Sequence, residues 1–200
     1  MSRLRLLPTS APRWLTDPAV NALAAVGVTP NMLTVAGVIG NGVAAFFAAR
    51  GDFLVAGIVM LAASALDMLD GALARATGKA TRFGSIFDAV MDRVSEAAVL
   101  FGLLYYFSDR GSREEELLIF AALVGSFLVS YTRARAEIVG VAMRDGLFGR
   151  PERVILLGAG LIIDEVTIAL WALAVLAGAT ALQRLALAWA RTRGGEEGER

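Results

Sequence analysis

The sequence predicts an all-α integral membrane protein, with six transmembrane helices and an N-terminal amphipathic helix at the membrane interface. Of the 200 residues, 56% are hydrophobic and 19% are charged, and the mean hydropathy is +0.62. Apolar stretches of roughly 20 residues, the length that crosses a bilayer as a helix, recur along the chain. Lysine and arginine are concentrated in alternate connections between these stretches. A soluble enzyme of this composition would expose much apolar surface, so we exclude that class.

Six apolar stretches account for most of the chain. The fifth is the shortest, and it becomes longer only if it is extended back to Pro151. No repeat, linker or separate soluble domain interrupts the series. The six predicted spans cover residues 31–49, 53–74, 84–107, 117–136, 154–163 and 166–189. We therefore expect a single membrane domain over residues 1–200.

The two ends of the chain are predicted to lie outside the spans. Residues 14–26 are too short and too interrupted by charge to cross, with Arg13 and Asp17 nearby. An amphipathic helix lying in the interface fits them better. Residues 1–28 are thus expected to be juxtamembrane, and no hydrophobic region followed by a cleavage site indicates a signal peptide. The polar, glycine-rich residues 191–200 are predicted to be disordered.

The basic residues predict the orientation in the membrane. With six spans, both termini and the even-numbered connections share one side. That side carries 16 of the 19 lysine and arginine residues, whereas the other has only Arg50, Arg110 and Arg113. Because lysine and arginine are enriched in cytoplasmic loops, both termini are predicted to be cytoplasmic. We expect a multi-pass protein of the cell membrane.

The composition removes several kinds of chemistry. Histidine and cysteine are both absent, which excludes His-based triads, cysteine nucleophiles, His/Cys zinc sites, haem and iron–sulfur clusters. Acid–base or metal chemistry must therefore come from the 19 aspartate and glutamate residues. The formal net charge is zero, so nothing indicates a nucleic-acid partner.

Four aspartates in the second and third spans are the strongest functional signal. Asp67 and Asp70 are three residues apart, and Asp88 and Asp92 are four apart, so each pair shares one helix face. The short loop 75–83 makes the two spans antiparallel neighbours, which would bring the four carboxylates to one depth. They would repel strongly unless divalent cations bound between them. All-oxygen ligation favours Mg²⁺ or Mn²⁺, and four carboxylates could hold two ions roughly 4 Å apart.

Two other interpretations of these acids remain open at this point. The acids could form a structural ion-pair network with nearby arginines, Arg75, Arg82 and Arg93. They could also belong to the cation pathway of a transporter or channel, which needs polar residues at successive depths. The outer halves of these spans consist almost entirely of Ala, Leu, Val, Ile and Phe, which argues against a pathway.

The spacing of the acids resembles a family signature. The CDP-alcohol phosphotransferase signature reads D-x-x-D-G-x-x-A-R, then eight residues, then G-x-x-x-D-x-x-x-D. Every fixed position is filled in this chain, by Asp67, Asp70, Gly71, Ala74, Arg75, Gly84, Asp88 and Asp92. The chain is therefore similar to the CDP-alcohol phosphatidyltransferases, and their six-helix membrane fold would cover nearly all of it.

The resemblance implies a reaction and a set of site residues. Members of this family transfer a phosphatidyl group from a CDP-linked lipid, here CDP-diacylglycerol, to an alcohol and release CMP. The resemblance implies that the metal ligands are Asp67, Asp70, Asp88 and Asp92. It also implies that Asp92 is the general base for the acceptor hydroxyl. The positions that match the family's contacts with the CDP-lipid are Asn31, Met32, Leu33, Thr34, Gly71, Arg75 and Thr81. Taken alone, residues 29–34 could equally be a plain helix start with a capping side chain.

A second resemblance concerns the acceptor alcohol. Residues 130–137 read S-Y-T-R-A-R-A-E and residues 150–153 read R-P-E-R, which resembles the branch that makes phosphatidylinositol phosphate and its archaeal ether-lipid relatives. This implies inositol 1-phosphate as acceptor, with its phosphate held by Arg133, Arg135 and Arg153. Arginines at cytoplasmic helix ends are also what topology alone predicts. Glycerol 3-phosphate, another polar alcohol or an ether-lipid donor therefore remain open. Similar family members are homodimers, and we expect a homodimer here.

Overall fold

The computed structural model describes residues 13–143 and 146–198, and all regular secondary structure in them is α-helical. This confirms the all-α class. Short connections join the helices, as the composition of the intervening segments predicts. The helices are α1 Arg13–Ala25, α2 Pro30–Arg50, α3 Phe53–Ala76, α4 Arg82–Ser108, α5 Arg113–Ile138, α6 Arg150–Ile162 and α7 Val166–Gly198.

Four of the helices are long and apolar enough to cross a membrane, namely α2, α3, α5 and α7. Helix α4 has sufficient length with 27 residues, but charged side chains occupy its first half. Helix α6 has 13 residues, which corresponds to about 20 Å and falls short of a hydrocarbon core about 30 Å thick. Four of the six predicted spans therefore match helices able to cross a membrane, and the third (residues 84–107) and the fifth (residues 154–163) remain predictions.

The ends of the described chain differ from the predictions to different extents. Helix α1 begins and ends within one residue of the predicted segment, while its place at a membrane interface stays a prediction. Helix α7 runs to Gly198, so the expected disorder from Arg191 onward is wrong for the described part of that segment. Arg191 Nη1 donates to the carbonyl oxygen of Ala142 over 2.6 Å. This contact ties the helix to the segment between α5 and α6.

Helix α2 is central to the packing because it lies along both α3 and α4. Small residues permit this close approach. A Cβ atom added to Gly40 would lie 2.7 Å from the Cβ of Ala63 in α3. One added to Gly102 in α4 would lie 2.2 Å from the carbonyl oxygen of Ala45. The small residues of α2 therefore serve helix packing inside the protein.

The predicted direct packing of α3 on α4 is not what the structure shows. In the described residues these two helices make no extensive contact with each other, and each packs on α2 instead. The connection of residues 77–81 keeps their ends close, but α2 offers the smaller side chains and therefore the closer packing surface. Helices α5 and α7 pack together, and α6 lies against α3 and α7.

A cap and a small apolar cluster position the beginning of α2 near the acids. Thr29 is the N-cap residue of α2, and its hydroxyl accepts a hydrogen bond from the backbone N–H of Met32. Just inside the helix, Leu33 is buried with Val20 of α1 and Leu73 of α3. This cluster anchors α1 to the bundle and holds the start of α2 against α3.

We expect Gly102→Ala to destabilise the bundle. The added methyl group would meet the backbone of Ala45, which cannot move aside without shifting α2, and overpacking of this kind costs about 1–3 kcal/mol. The measurement is the free energy of unfolding in mixed detergent micelles. The matched control is Gly42→Ala, because a Cβ there has no neighbouring atom within 4 Å. Equal stability of the two variants would contradict the packing.

Candidate metal centre and active site

Three of the four predicted metal ligands converge in the structure. Asp67 and Asp70 of α3 and Asp88 of α4 each offer a carboxylate oxygen, and these oxygens lie within 4.8 Å of one another. Asp67 is 5% exposed and Asp70 7% exposed, so water compensates little of their mutual repulsion. The donor set is entirely oxygen, which fits a hard divalent cation such as Mg²⁺ or Mn²⁺.

A threonine of α2 orients one of these carboxylates. Thr34 is 2% exposed, and its hydroxyl donates to Asp70 Oδ2 over 2.5 Å. This short contact to an ionisable group is a strong hydrogen bond. It connects α2 directly to the acidic cluster, so Thr34 has an observed role in addition to its predicted place near the CDP-lipid.

The fourth aspartate is paired with an arginine. Arg150 Nη1 lies 2.7 Å from Asp92 Oδ1 and 2.8 Å from Asp67 Oδ2. The guanidinium group therefore bridges α3 and α4 from the first turn of α6. Asp92 is not among the three acids whose oxygens converge, so its predicted role as a metal ligand stays a prediction. Its place beside Asp67 is established by the shared contact with Arg150.

Arg150 belongs to the site, although its place in the sequence did not indicate this. Arg150 was visible only as the first residue of R-P-E-R, and α6 had no predicted neighbour that would direct it toward the acids. A signal was nevertheless present, since Arg150 and Arg153 are three residues apart and share one face of α6. Two cations on one helix face can reach acids on a neighbouring helix together.

Arg153 has a different environment from the one predicted. Its Nε and Nη2 atoms donate to the two carboxylate oxygens of Glu96 over 2.7 and 2.9 Å. The side chain is 3% exposed. Arg153 thus forms a buried bidentate ion pair between α6 and α4, and its contact with an acceptor phosphate stays a prediction.

The other two predicted acceptor arginines lie near the end of α5. Arg133 is exposed, and its Nε donates to Glu137 Oε1 over 2.9 Å along the same helix. Arg135 is also exposed. An exposed ion pair of this kind contributes little stability, so Arg133 can exchange Glu137 for another anion at little cost.

Several residues predicted to contact the CDP-lipid lie around the beginnings of α2 and α4. Thr81 is the N-cap residue of α4, and its hydroxyl accepts a hydrogen bond from the N–H of Gly84 over 2.9 Å. Asn31 Oδ1 approaches the same glycine, at 3.7 Å from where its Cβ would be. Asn31 and Thr81 therefore both lie next to Gly84, although they are 50 positions apart in the sequence.

The remaining members of that predicted set differ in exposure. Arg75 is exposed, and its Nη1 lies 3.3 Å from the position of a Cβ on Gly71. Met32 is exposed, whereas Leu33 is buried in the cluster with Val20. Leu33 therefore supports the site by packing. Arg75 presents its cationic side chain at the surface of the protein.

A small cavity with both polar and apolar side chains in its lining lies behind the acids. Its polar lining includes Asn41, Ser64 and Ser95 together with the side chains of Glu96 and Arg153. All three neutral residues are buried. Polar side chains of this kind inside an apolar bundle have a cost, and here they surround the ion pair between α4 and α6.

Comparison with known proteins identifies the family. A model of the CDP-alcohol phosphatidyltransferase family matches residues 27–190. The archaetidylinositol phosphate synthase of Pyrococcus horikoshii is 37% identical over 164 residues, which cover 82% of this chain and 85% of that protein. The phosphatidylinositol phosphate synthase of Mycobacterium tuberculosis is 35% identical over 201 residues, which cover 94% of this chain and 92% of that protein.

Solved structures show the same fold. The crystal structure of the M. tuberculosis phosphatidylinositol phosphate synthase with CDP-DAG bound superposes with a TM-score of 0.81 at 33% identity, covering 88% of this chain and 94% of that one. The structure of the same synthase with manganese and citrate has a TM-score of 0.78 at 34% identity, covering 87% and 88%. The signature of eight residues, the acidic cluster and these matches all indicate the same family. The chain therefore belongs to the CDP-alcohol phosphatidyltransferase family and is a phospholipid-biosynthesis transferase.

Proposed function

We propose that this transferase moves the phosphatidyl group of CDP-diacylglycerol to a hydroxyl of inositol 1-phosphate, giving phosphatidylinositol phosphate and CMP. The observation that carries the proposal is the convergence of Asp67, Asp70 and Asp88 within 4.8 Å. The names of the two related synthases support the acceptor, and the CDP-DAG complex of the structural relative supports the donor. Membership of a transferase family sets aside the cation-transport alternative.

Charge balance supports two divalent ions at the site. Five carboxylates belong to the cluster and its ion pairs, and three guanidinium groups face them, which leaves two negative charges. The acids are Asp67, Asp70, Asp88, Asp92 and Glu96, and the cations are Arg93, Arg150 and Arg153. Two divalent cations and the two charges of a diphosphate would bring the total to neutrality. Mg²⁺ or Mn²⁺ held by Asp67, Asp70 and Asp88, with Asp92 beside them, would stabilise charge on the diphosphate.

Asp92 is our candidate for the general base. It would take the proton of the acceptor hydroxyl while that oxygen forms a bond to the phosphorus that carries diacylglycerol. The bond from this phosphorus to the CMP oxygen breaks, and CMP leaves with the electron pair. The ion pair with Arg150 keeps the carboxylate beside Asp67, and Asp92 Oδ1 has no hydrogen-bond partner in the described structure, so this oxygen is available to accept a proton.

The CDP-lipid is proposed to bind at the beginnings of α2 and α4. Asn31 and Thr81 flank Gly84 there, and Arg75 offers a forked cation suited to a phosphate oxygen. Met32 and Gly71 complete the surface, with Leu33 and Thr34 supporting it from inside. The set follows the family resemblance and agrees with the exposure of Arg75 and Met32.

The acceptor phosphate is proposed to bind the exposed cations at the end of α5. Arg133 and Arg135 are available to an anion from solution because both are exposed. Arg153, the third predicted contact, is held by Glu96, and we assign it a supporting position behind the acceptor. Glycerol 3-phosphate, or an archaeal ether lipid as donor, would use the same reaction.

Location and assembly complete the proposal. The unequal distribution of lysine and arginine supports cytoplasmic termini and a cytoplasmic active site in the cell membrane. The exposed apolar side chains of the long helices would contact membrane lipids. We also propose a homodimer, which chemical crosslinking in detergent would test.

We expect Asp88→Asn to abolish tight binding of Mn²⁺. The substitution removes one of three convergent anionic ligands while it keeps the side-chain volume, so the remaining donors would bind the ion at least about tenfold more weakly. Electron paramagnetic resonance titration of purified protein measures the affinity. Asp109→Asn is the control, since Asp109 follows α4 at the opposite end. Unchanged Mn²⁺ affinity in Asp88→Asn would argue against this centre.

We expect Asp92→Asn to lose catalysis with the fold intact. The amide cannot accept the acceptor's proton, and loss of a general base lowers turnover about 10²–10⁴-fold. Release of CMP from CDP-diacylglycerol in the presence of Mg²⁺ and inositol 1-phosphate is the assay. Full activity of a well-folded Asp92→Asn protein would rule out the assigned base.

We expect inositol 1-phosphate to be the preferred acceptor and Arg135 to contribute to its affinity. Arg135→Gln removes a cation that would contact the acceptor phosphate. We expect the KM for inositol 1-phosphate to rise about tenfold or more and the KM for CDP-diacylglycerol to stay unchanged. The assay compares inositol 1-phosphate, free inositol, glycerol 3-phosphate and serine. Arg113→Gln, at the other end of α5, is the control. Preference for another acceptor would retain the metal centre and overturn the acceptor assignment.

A further inference from the structure

Two helices face each other with matching charged side chains at successive turns. On α4, Asp88, Asp92 and Glu96 are each four residues apart and lie on one face. On α6, Arg150 and Arg153 are three residues apart and also share a face. The ion pairs Asp92–Arg150 and Glu96–Arg153 therefore form two adjacent connections between the helices.

These ion pairs are the main connection between α6 and α4. In the described part of the chain α6 packs along α3 and α7, and it makes no extensive contact with α4. Leu157 and Leu161 pack in the apolar core and hold the later turns of α6. The bidentate pair of Arg153 with Glu96 holds the first turn, because its two parallel hydrogen bonds fix the guanidinium plane.

Arg150 itself is held at one end only. Both of its contacts with the acids use Nη1, while its Nε atom is buried and has no hydrogen-bond partner in the described structure. Arg150 borders the small cavity that Ser64 and Ser95 also line, and neither serine accepts a hydrogen bond from its Nε in the described structure. The position of the Arg150 guanidinium therefore depends on the orientation of the helix that carries it.

We propose that Glu96 is a positioning residue for the transfer reaction. By holding Arg153, it fixes the first turn of α6 against α4 and thereby places the Arg150 guanidinium between Asp67 and Asp92. Glu96 contacts no substrate in this arrangement and acts through two arginines on the orientation of Asp92. The inference rests on the proposed function, because its effect is defined on turnover.

The test is the steady-state kinetics of Glu96→Gln. Glutamine keeps the shape of the side chain but cannot accept both hydrogen bonds from Arg153. We expect kcat to fall about 10- to 100-fold, the effect of a small misplacement in an active site, while the KM for CDP-diacylglycerol changes less than about twofold. The value of kcat is normalised to the monodisperse, folded fraction, so that a purely structural role would leave it unchanged.

Two further variants separate positioning from general damage. In Glu96→Gln/Arg153→Gln both charges are absent, and we expect a kcat no lower than that of Glu96→Gln, because the pair acts as a unit. Glu115→Gln is the matched control. It removes a carboxylate that accepts from Thr167 Oγ1 over 2.9 Å and joins α5 to α7, and we expect wild-type kcat. An unchanged kcat in folded Glu96→Gln would overturn the inference.

The outcomes distinguish this inference from the proposed function. If the unmodified protein releases no CMP with any of the four acceptors, the proposed function fails and the inference fails with it. If the unmodified protein is active and Glu96→Gln is equally active, the inference alone fails. If Glu96→Gln does not fold, Glu96→Asp is measured, because it keeps the charge and withdraws the carboxylate by one methylene group. Wild-type kcat in folded Glu96→Asp would then overturn the inference.

Discussion

The structure depends on keeping several carboxylates together inside a helical membrane bundle. Ionised side chains are costly at membrane depth unless they are paired or bind a cation, and here the buried Asp67 and Asp70 converge with the half-buried Asp88. The surrounding helices each contribute to compensating that cost. Helix α2 supplies the hydroxyl of Thr34, and α6 supplies Arg150. The remaining negative charge is suited to divalent cations.

The small residues of α2 make this convergence possible. Because Gly40 and Ala45 allow α3 and α4 to approach α2 closely, the two acid-bearing helices are held by a third helix and need not pack on each other. In this arrangement carboxylate oxygens of the three convergent aspartates lie within 4.8 Å of one another. A larger side chain at Gly40 would push α3 away from α2, and one at Gly37 would meet an acid directly, since a Cβ there would lie 3.2 Å from the Cβ of Asp67.

Helix α6 is too short to cross a membrane on its own. Its contribution to the site comes from the charged residues of its first turn. It delivers Arg150 to Asp67 and Asp92 and Arg153 to Glu96. Breaking one partner of a buried ion pair leaves an uncompensated charge, which costs far more than the net stability of the intact pair. The two arginines therefore make the orientation of α6 specific, whether or not they add to overall stability.

The sequence by itself determined the helical membrane class, four of the spans, and the convergence of Asp67, Asp70 and Asp88. These follow from local regularities: the hydropathy of each segment, the spacing of acids along one helix face, and a family signature with every position filled. Helix boundaries near Thr29 and Thr81 were also accessible, since the capping side chains are encoded next to the helices they begin.

Only the tertiary structure decided which helices face each other. Spacing along the chain shows which side chains share a helix face, but it does not show which other helix that face meets. For this reason the sequence placed α3 against α4, whereas α2 packs on both. It also grouped Arg153 with the exposed Arg133, whereas burial pairs Arg153 with Glu96. Arg150 became part of the site only when α6 was seen to lie across the acids of α3 and α4.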